Sequence, residues 1–482
     1  MRLLVYAITL LLAVLMPALA QAADFPAESG FEGAVTVDST KVDDGFLVVT
    51  AKVPFLDIYG APKEGMARLV VQESRLKSDK PIPAFCHVHY EKDLGGAKHW
   101  ARRGWAVFTA TYTDNKGAYP IDAAVANGYN QARAIVQWAR RLPFIDRTRL
   151  HIDGGSQGGY AALAVSADFF PVTATTADVP VVNWAYNLNY FEANKKTSKY
   201  PAASPDESPV PVMYSVTMLA DWCYKSFGND LSSDAYYWMS PIACLDRITN
   251  PVQVTCFSGD MLVPMEQMMT KPLHAIDAAR FPEGFQRDFE KLTLCAKARK
   301  TFEECVPESS RETFVVPLQE KSFENSWEMF KDPKRKPSEK PKEQQKPWSK
   351  TRQWSLVYCD EGGPAPQASH SSFEWALSSN DFVDHYQKTE CTPDLLNAAK
   401  LQWLMQRLER TPEGMPMLSN GQSANRMNFT TVERRDVITG LLDYAKSAKT
   451  CEEQLTTLYA ACPRKPLGEQ LSVAVLEKAL VP

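Results

Sequence analysis

Residues 149–160, Arg-Leu-His-Ile-Asp-Gly-Gly-Ser-Gln-Gly-Gly-Tyr, set the tightest condition on how this chain folds. A short apolar run, Leu150-His151-Ile152, follows a polar turn at 145–149 and leads into Gly154-Gly155-Ser156-Gln157-Gly158. Beyond it, Tyr160-Ala161-Ala162-Leu163-Ala164-Val165 is rich in small, helix-favouring side chains. A strand, a G-x-S-x-G turn and a helix in this order form a sharp elbow that lifts one serine above a sheet edge. Glycines flank Ser156 because the turn brings backbone segments close and forces unusual φ/ψ. The turn also puts Ser156 at a helix N-terminus, where N–H groups favour a developing negative charge.

The rest of the chain supplies a sheet for such an elbow. Eight runs carry β-branched and aromatic residues bounded by turn formers: 46–55, 67–74, 83–90, 105–112, 149–154, 172–177, 252–258 and 354–360. From the third onward they alternate with helical stretches, of which 122–142 is the clearest. There Val125, Tyr129, Ala132, Val136 and Ala139 fall on one face. This alternation predicts an α/β fold: an eight-stranded, mostly parallel sheet with helices on both faces. It occupies residues 24–390, with two insertions. Residues 181–250 are rich in aromatics (Trp184, Tyr186, Tyr190, Trp222) and form either a lid with an aromatic pocket wall or a small core of their own. Residues 265–350 end in a Lys/Pro-rich run, 331–350, that reads as a solvated linker, with a contact to an anionic polymer or lipid as the alternative. Residues 391–482 read as a helical extension, with helices at 394–410 and 431–447.

With 482 residues, 45% hydrophobic and 23% charged, the chain has ordinary globular composition. A net charge of −4 without a Lys/Arg stripe argues against a nucleic-acid partner. At the N-terminus, Arg2 precedes an apolar run from Leu3 to Leu19 closed by two A-x-A patterns. Residues 1–22 are therefore expected to be a signal peptide, cleaved after Ala20 or Ala22, which makes the mature protein secreted or periplasmic and free of a membrane span. Ten cysteines suit an oxidising compartment, and Cys295/Cys305, Cys451/Cys462 and Cys223/Cys244 are plausible loop-closing pairs. Cys86, Cys256 and Cys359 fall within expected strands and read as buried thiols.

A serine hydroxyl needs a base to remove its proton, and the base needs a third group to orient it. On an elbow fold these partners follow later strands in the order serine, acid, histidine. Asp260, in Ser258-Gly259-Asp260-Met261-Leu262-Val263-Pro264, lies just past the seventh strand and is the candidate acid, with a turn-capping aspartate as the alternative. His370 ends the loop 360–370 after the eighth strand and is the candidate base; His385, farther into the next helix, is the fallback. Backbone N–H groups for an oxyanion are expected from Gln157 and from Tyr90 or Glu91 after the third strand, with the Tyr90 hydroxyl as an extra donor. His87-x-His89 also reads as a metal pair on one strand face, but no carboxylate or cysteine cluster accompanies it, so no metal or cofactor is expected. His151 and Asp153 read as packing or supporting groups, and Trp100, Trp105 and Trp138 as core.

With these positions assembled, the chain resembles the α/β-hydrolase superfamily, and within it the prolyl-oligopeptidase-like and acetyl xylan esterase-like families. The resemblance lies in Phe144-Ile145-Asp146-Arg147-Thr148-Arg149-Leu150 ahead of Gly154-Gly155-Ser156-Gln157-Gly158-Gly159, in Ala177-Asp178-Val179-Pro180, and in His99-Trp100-Ala101-Arg102-Arg103-Gly104-Trp105-Ala106-Val107. It implies Ser156 as nucleophile, Asp260 as acid, His370 as base and Gln157 as an oxyanion donor. The usual His-Gly-Gly-like loop is here His89-Tyr90-Glu91, and the region before the first core strand is too short for a β-propeller. The function implied is a serine hydrolase cleaving carboxylic esters through an acyl-enzyme. A peptidase acting on short peptides is the runner-up, and a non-catalytic envelope binding protein on the same fold the third reading. The partner is then a small ester or short peptide; oligomeric state has no signal in the sequence.

Overall fold

The eight expected strands all form, and two more join them. A computed structural model describes residues 35–56, 62–111, 125–195, 216–257, 260, 262–268, 294–317, 346–360, 381–388, 398–408, 434–447, 449–462, 465, 467–468 and 471–480. The strands are β1 (Thr36–Asp43), β2 (Phe46–Leu56), β3 (Pro62–Gln72), β4 (Ile82–Glu91), β5 (Ala106–Ala110), β6 (Ile145–Gly155), β7 (Ala174–Asp178), β8 (Val252–Phe257), β9 (Arg311–Pro317) and β10 (Trp354–Asp360). They make one ten-stranded sheet in the order β1-β2-β3-β5-β4-β6-β7-β8-β10-β9. β1, β2, β3 and β5 pair antiparallel; β5, β4, β6, β7, β8, β10 and β9 run parallel. The sheet is thus larger than the eight strands expected. β1 (TVDSTKVD) and β9 (RETFVVP) are terminal strands with mixed, partly exposed side chains, so neither has the apolar alternation that marks a half-buried strand. β9 also means that the insertion 265–350 contributes to the sheet itself.

Helices cover both faces. The principal ones are α1 (Leu94–Arg102), α2 (Val125–Arg141), α3 (Gln157–Asp168), α4 (Trp184–Lys195), α5 (Val216–Phe227), α6 (Asp381–Gln387), α7 (Ala398–Leu408), α8 (Arg434–Ser447), α9 (Lys449–Ala460) and α10 (Val473–Leu480). On one face Cys86, Phe108, Ile152, Trp138 and Tyr160 share a core with α2 and α3. On the other, Phe85, Trp105, Val107 and Ala174 pack with Trp100 of α1 and Phe382 of α6. The described aromatics of the 181–250 insertion are largely core: Trp184 meets Tyr160 edge-on at 5.2 Å and Phe227 at 5.7 Å, and Phe227 meets Tyr236 at 5.2 Å. This part packs directly onto α3, and residues 196–215 lie outside the described ones.

The last five residues of the Lys/Pro-rich run depart from the solvated linker expected for it. Residues 318–345 lie outside the described ones, but 346–350 are packed against the sheet. Trp348 is buried among Phe382 and its neighbours, and the Ser349 N–H donates to Ser355 Oγ at 2.9 Å. A tryptophan gives this otherwise polar segment something to bury.

No disulfide joins cysteines among the described residues, so Cys295/Cys305, Cys451/Cys462 and Cys223/Cys244 stay as thiols, against the pairings expected. Cys223 and Cys244 fill the core near Tyr160 and Tyr236, where burial pushes the Cys223 thiol up and the Cys244 thiol to about 12. Cys451 and Cys462 fill the core among the C-terminal helices.

Four helices, α7 to α10, make up the described part of the C-terminal extension and bury their own core of Leu401, Leu404, Ile438, Leu441, Tyr444 and Leu455. They dock on the far end of α3. Lys400 is buried and donates to the last carbonyls of that helix, Ser166 O at 2.8 Å and Ala167 O at 2.9 Å. Burial drags its ammonium down to about 7 despite the Asp168 carboxylate nearby. Asp168 itself accepts from the Tyr129 hydroxyl and from Trp403 Nε1 at 3.2 Å. Gly440 of α8 sits so tightly on the Phe170 carbonyl that an added Cβ would overlap the backbone oxygen. Gly440→Ala is therefore expected to cost about 3 kcal/mol, read as a lowered urea midpoint with an unchanged slope.

Candidate active site

The parallel strands bring their carboxyl ends to one edge of the sheet, the edge where α/β folds carry ligands. Tyr90 and Glu91 end β4, Ser156 follows β6, Asp178 ends β7 and Asp260 follows β8. At the elbow, Ser156 has φ 56 and ψ −122, a left-handed conformation that costs an L-residue about 1–3 kcal/mol. Close contacts enforce it. A Cβ on Gly154 would strike the Gly158 carbonyl, and one on Gly158 would come within 2.8 Å of Val88 O. The Ser156 N–H donates to Asp178 O at 2.8 Å, fastening the elbow to β7.

Tyr90 comes to the serine. Its hydroxyl is hydrogen-bonded to the Ser156 side chain and accepts from the backbone N–H of Gln157. Burial pushes the phenol above its ordinary value more strongly than these two bonds pull it down, so it stays protonated. Three of the expected site residues, Ser156, Gln157 and Tyr90, are therefore together. A neutral phenol and a helix N-terminal N–H converging beside a serine hydroxyl are the donor set that an oxyanion formed at that serine requires.

The loop behind Tyr90 is tightly braced, and the brace was not legible in advance. The β4–β5 register slips between His87 and Glu91, pairing His87 with Thr109 and Glu91 with Ala110. Thr109 Oγ1 closes the bulge: it accepts from the Lys92 N–H at 2.9 Å. The Glu91 side chain turns to a strut instead, held by Arg68 at 2.7 Å and Thr111 at 2.9 Å. His89, at φ 73, is buried with its ring edge-on to Tyr90 at 4.4 Å. Burial, with His87 nearby, lowers its pKa to about 3 and keeps it neutral.

His87 and Asp153 form a close pair across β4 and β6, Nδ1 to Oδ2 at 2.5 Å. Burial works to raise the Asp153 carboxyl, but His87, Lys92 and Thr176 outweigh it and hold it well below the usual carboxylate range. Thr176 donates to Asp153 Oδ1 at 2.5 Å, so its oxygen accepts from His151 Nε2 at 3.0 Å, which fixes the proton of His151 on Nε2. The bulge after His87 breaks the alternation that a His87-x-His89 metal pair relies on. Among the described residues no three His, Cys, Asp or Glu side chains converge as a metal site.

His151 makes the fold acid-sensitive. Burial holds it at about 4, against Asp153 pulling upward, while the unfolded chain titrates near 6.5. Between those values the unfolded chain binds the proton first, so stability is full above 6.5 and falls as pH drops toward 4. The expected loss is about 2–3 kcal/mol at pH 4.5, to which His89 adds in the same direction. Urea unfolding at pH 7 and 4.5 should show it, and His151→Gln should remove part of it.

Asp260 is fully buried, and its Oδ1 accepts the N–H groups of Leu262 at 2.8 Å and Val263 at 2.9 Å. The turn-capping role and a place at the same sheet edge as Ser156 thus coincide in one residue. His370 lies outside the described residues. His385, the fallback, packs against Trp348 at 4.9 Å on α6.

Residues 124–210, which hold α2, the elbow, α3, β7 and α4, match the model of the prolyl oligopeptidase family. In this segment the chain is prolyl-oligopeptidase-like. No curated protein matches the chain. Among solved structures it is similar to Pyrococcus horikoshii acylaminoacyl peptidase, with 13% identity over 48% of this chain and 41% of that one and a TM-score of 0.31. It is also similar to an acetyl xylan esterase from Paenibacillus sp. R4 (12% identity, 50% and 83% covered, TM-score 0.33). A third is a Mycobacterium tuberculosis puromycin-hydrolyzing peptidase (17%, 47% and 39%, TM-score 0.31). The chain spans about two fifths of the length of the acylaminoacyl peptidases it matches. No helix among the described residues is long and apolar enough to cross a membrane.

Proposed function

We propose that this protein is a serine hydrolase that cleaves carboxylic ester bonds through an acyl-enzyme. The observation that carries the reading is Ser156, strained on its elbow, with its side chain bonded to the Tyr90 hydroxyl, which also accepts the Gln157 N–H. In this reading Ser156 Oγ attacks the carbonyl carbon while His370, oriented by Asp260, takes the serine proton. The carbonyl oxygen becomes an oxyanion that Tyr90 and Gln157 bind. His370 then protonates the leaving alcohol as the C–O bond breaks, and water, activated by the same imidazole, hydrolyses the acyl-serine. The prolyl-oligopeptidase-like segment favours a second reading, in which the leaving group is the amine of a short peptide.

Fluorophosphonate labelling of the wild type, absent in Ser156→Ala, is the expected result; a folded wild type that resists the reagent would leave only a non-catalytic binding protein. Short and long p-nitrophenyl esters beside aminoacyl and dipeptidyl p-nitroanilides separate the two substrate classes. Esters should turn over faster, and faster anilides would select the peptidase. We further propose export, supported by the leader-like residues 1–22; N-terminal sequencing of the exported protein should begin at Gln21 or Ala23.

A further inference from the structure

The elbow leans on Asp178. Besides accepting the Ser156 N–H, the Asp178 carbonyl lies 2.8 Å from where a Cβ on Gly159 would stand, and Gly155 pairs with Asp178 in the β6–β7 register. The next residue, Val179, has φ 39 and donates its N–H to Thr255 O at 2.7 Å, so the backbone turns sharply just after this abutment. The Asp178 carboxylate is gripped at both oxygens by Lys346 Nζ, at 2.8 and 3.0 Å, and the lysine side chain is only 12% exposed. Lys346 stands on a stiff footing. Gln253 Nε2 of β8 donates to Pro347 O at 3.0 Å, Trp348 is buried, and Ser349 is tied to Ser355 of β10. Burial works against its charge, but Asp178, with Asp153 behind it, holds the ammonium above the ordinary lysine range.

We propose that Lys346, at the end of the long Lys/Pro-rich insertion, is a positioning residue for the nucleophile, acting through Asp178. The inference rests on the serine hydrolase reading. Lys346 does two things: it fixes the strand end to which the Ser156 N–H is bonded, and it neutralises the carboxylate of the very residue whose carbonyl accepts that N–H. An uncompensated carboxylate there repels the transition state more than the neutral ester, so its effect falls on kcat rather than KM.

The test uses the full chain and the variants Lys346→Met, Lys346→Arg, Lys346→Met with Asp178→Asn, and Lys98→Met. The last removes a comparably shielded pair, Lys98–Asp43 at 3.1 Å, at the β1 end of the sheet. Lys346→Met should lower both kcat on the best p-nitrophenyl ester and the fluorophosphonate labelling rate by roughly tenfold or more, with KM within about twofold. Lys346→Arg should recover most of the loss. Adding Asp178→Asn to Lys346→Met should recover part of it, since the offending charge is gone. Lys98→Met should lower only the melting temperature. A folded Lys346→Met labelled within about twofold of wild type overturns the proposal, as does a loss that neither companion variant recovers. If the methionine variant does not fold, Lys346→Gln is read by the same criteria. An unlabelled wild type sinks the serine hydrolase reading itself, whereas a labelled wild type with an unaffected Lys346→Met sinks this inference alone.

Discussion

Ser156→Ala is expected to lower kcat on a short p-nitrophenyl ester about a million-fold, leaving a folded protein. The nucleophile takes part in the bond that forms and breaks, so no neighbour substitutes for it. Ser156→Gly should lose activity equally yet gain stability. At φ 56 and ψ −122 the serine stores backbone strain that glycine does not feel, and the relief, offset partly by glycine's extra unfolded-state freedom, leaves a gain of about 1 kcal/mol. Urea midpoints of the two variants measure it. An alanine variant with wild-type turnover would put the nucleophile elsewhere, and a glycine variant less stable than alanine would show that the elbow is unstrained.

Tyr90→Phe should lower kcat by roughly 10²–10³-fold with KM little changed. The phenol is held protonated, so in the transition state it can turn its hydrogen toward the new oxyanion, and the lost bond is one made chiefly there. Gln157→Ala is a useful contrast, because it keeps the backbone N–H that faces the site. Steady-state kinetics separate the two cases: a tyrosine variant whose loss appears in KM alone would make Tyr90 a substrate-binding wall rather than a charge-stabilising donor.

Local patterns carried eight of the ten strands. Apolar runs bounded by turn residues located β2 to β8 and β10, and G-x-S-x-G located the elbow to the residue. What escaped depends on partners far away in the chain. β9 confines its apolar residues to Phe314-Val315-Val316, without the alternation of a half-buried strand, and forms alongside β10. Arg133, Gln137 and Arg140 of α2 are polar in the sequence yet buried in the fold, and Arg140 donates to Phe170 O at 2.8 Å and faces Asp443 of α8. Glu91 was considered for its N–H and serves through its side chain, a difference decided by Arg68 on another strand. The Asp178 partner, Lys346, is 168 residues distant. Only Trp348 hinted that its segment was not solvent-bound.

The grip of α7 and α8 on the end of α3 and on Phe170 removes a freedom that a modular tail would have. Lys400 and Trp403 complete polar groups of the elbow's own helix, and Gly440 closes over the chain that leaves it. Removing the last ninety or so residues would therefore bare the apolar surface around Phe170 that α7 and α8 cover and take from Ser166, Ala167 and Asp168 their Lys400 and Trp403 partners. Heat should melt tail and sheet together, and shortening the gene at residue 390 should yield aggregate, not a smaller enzyme.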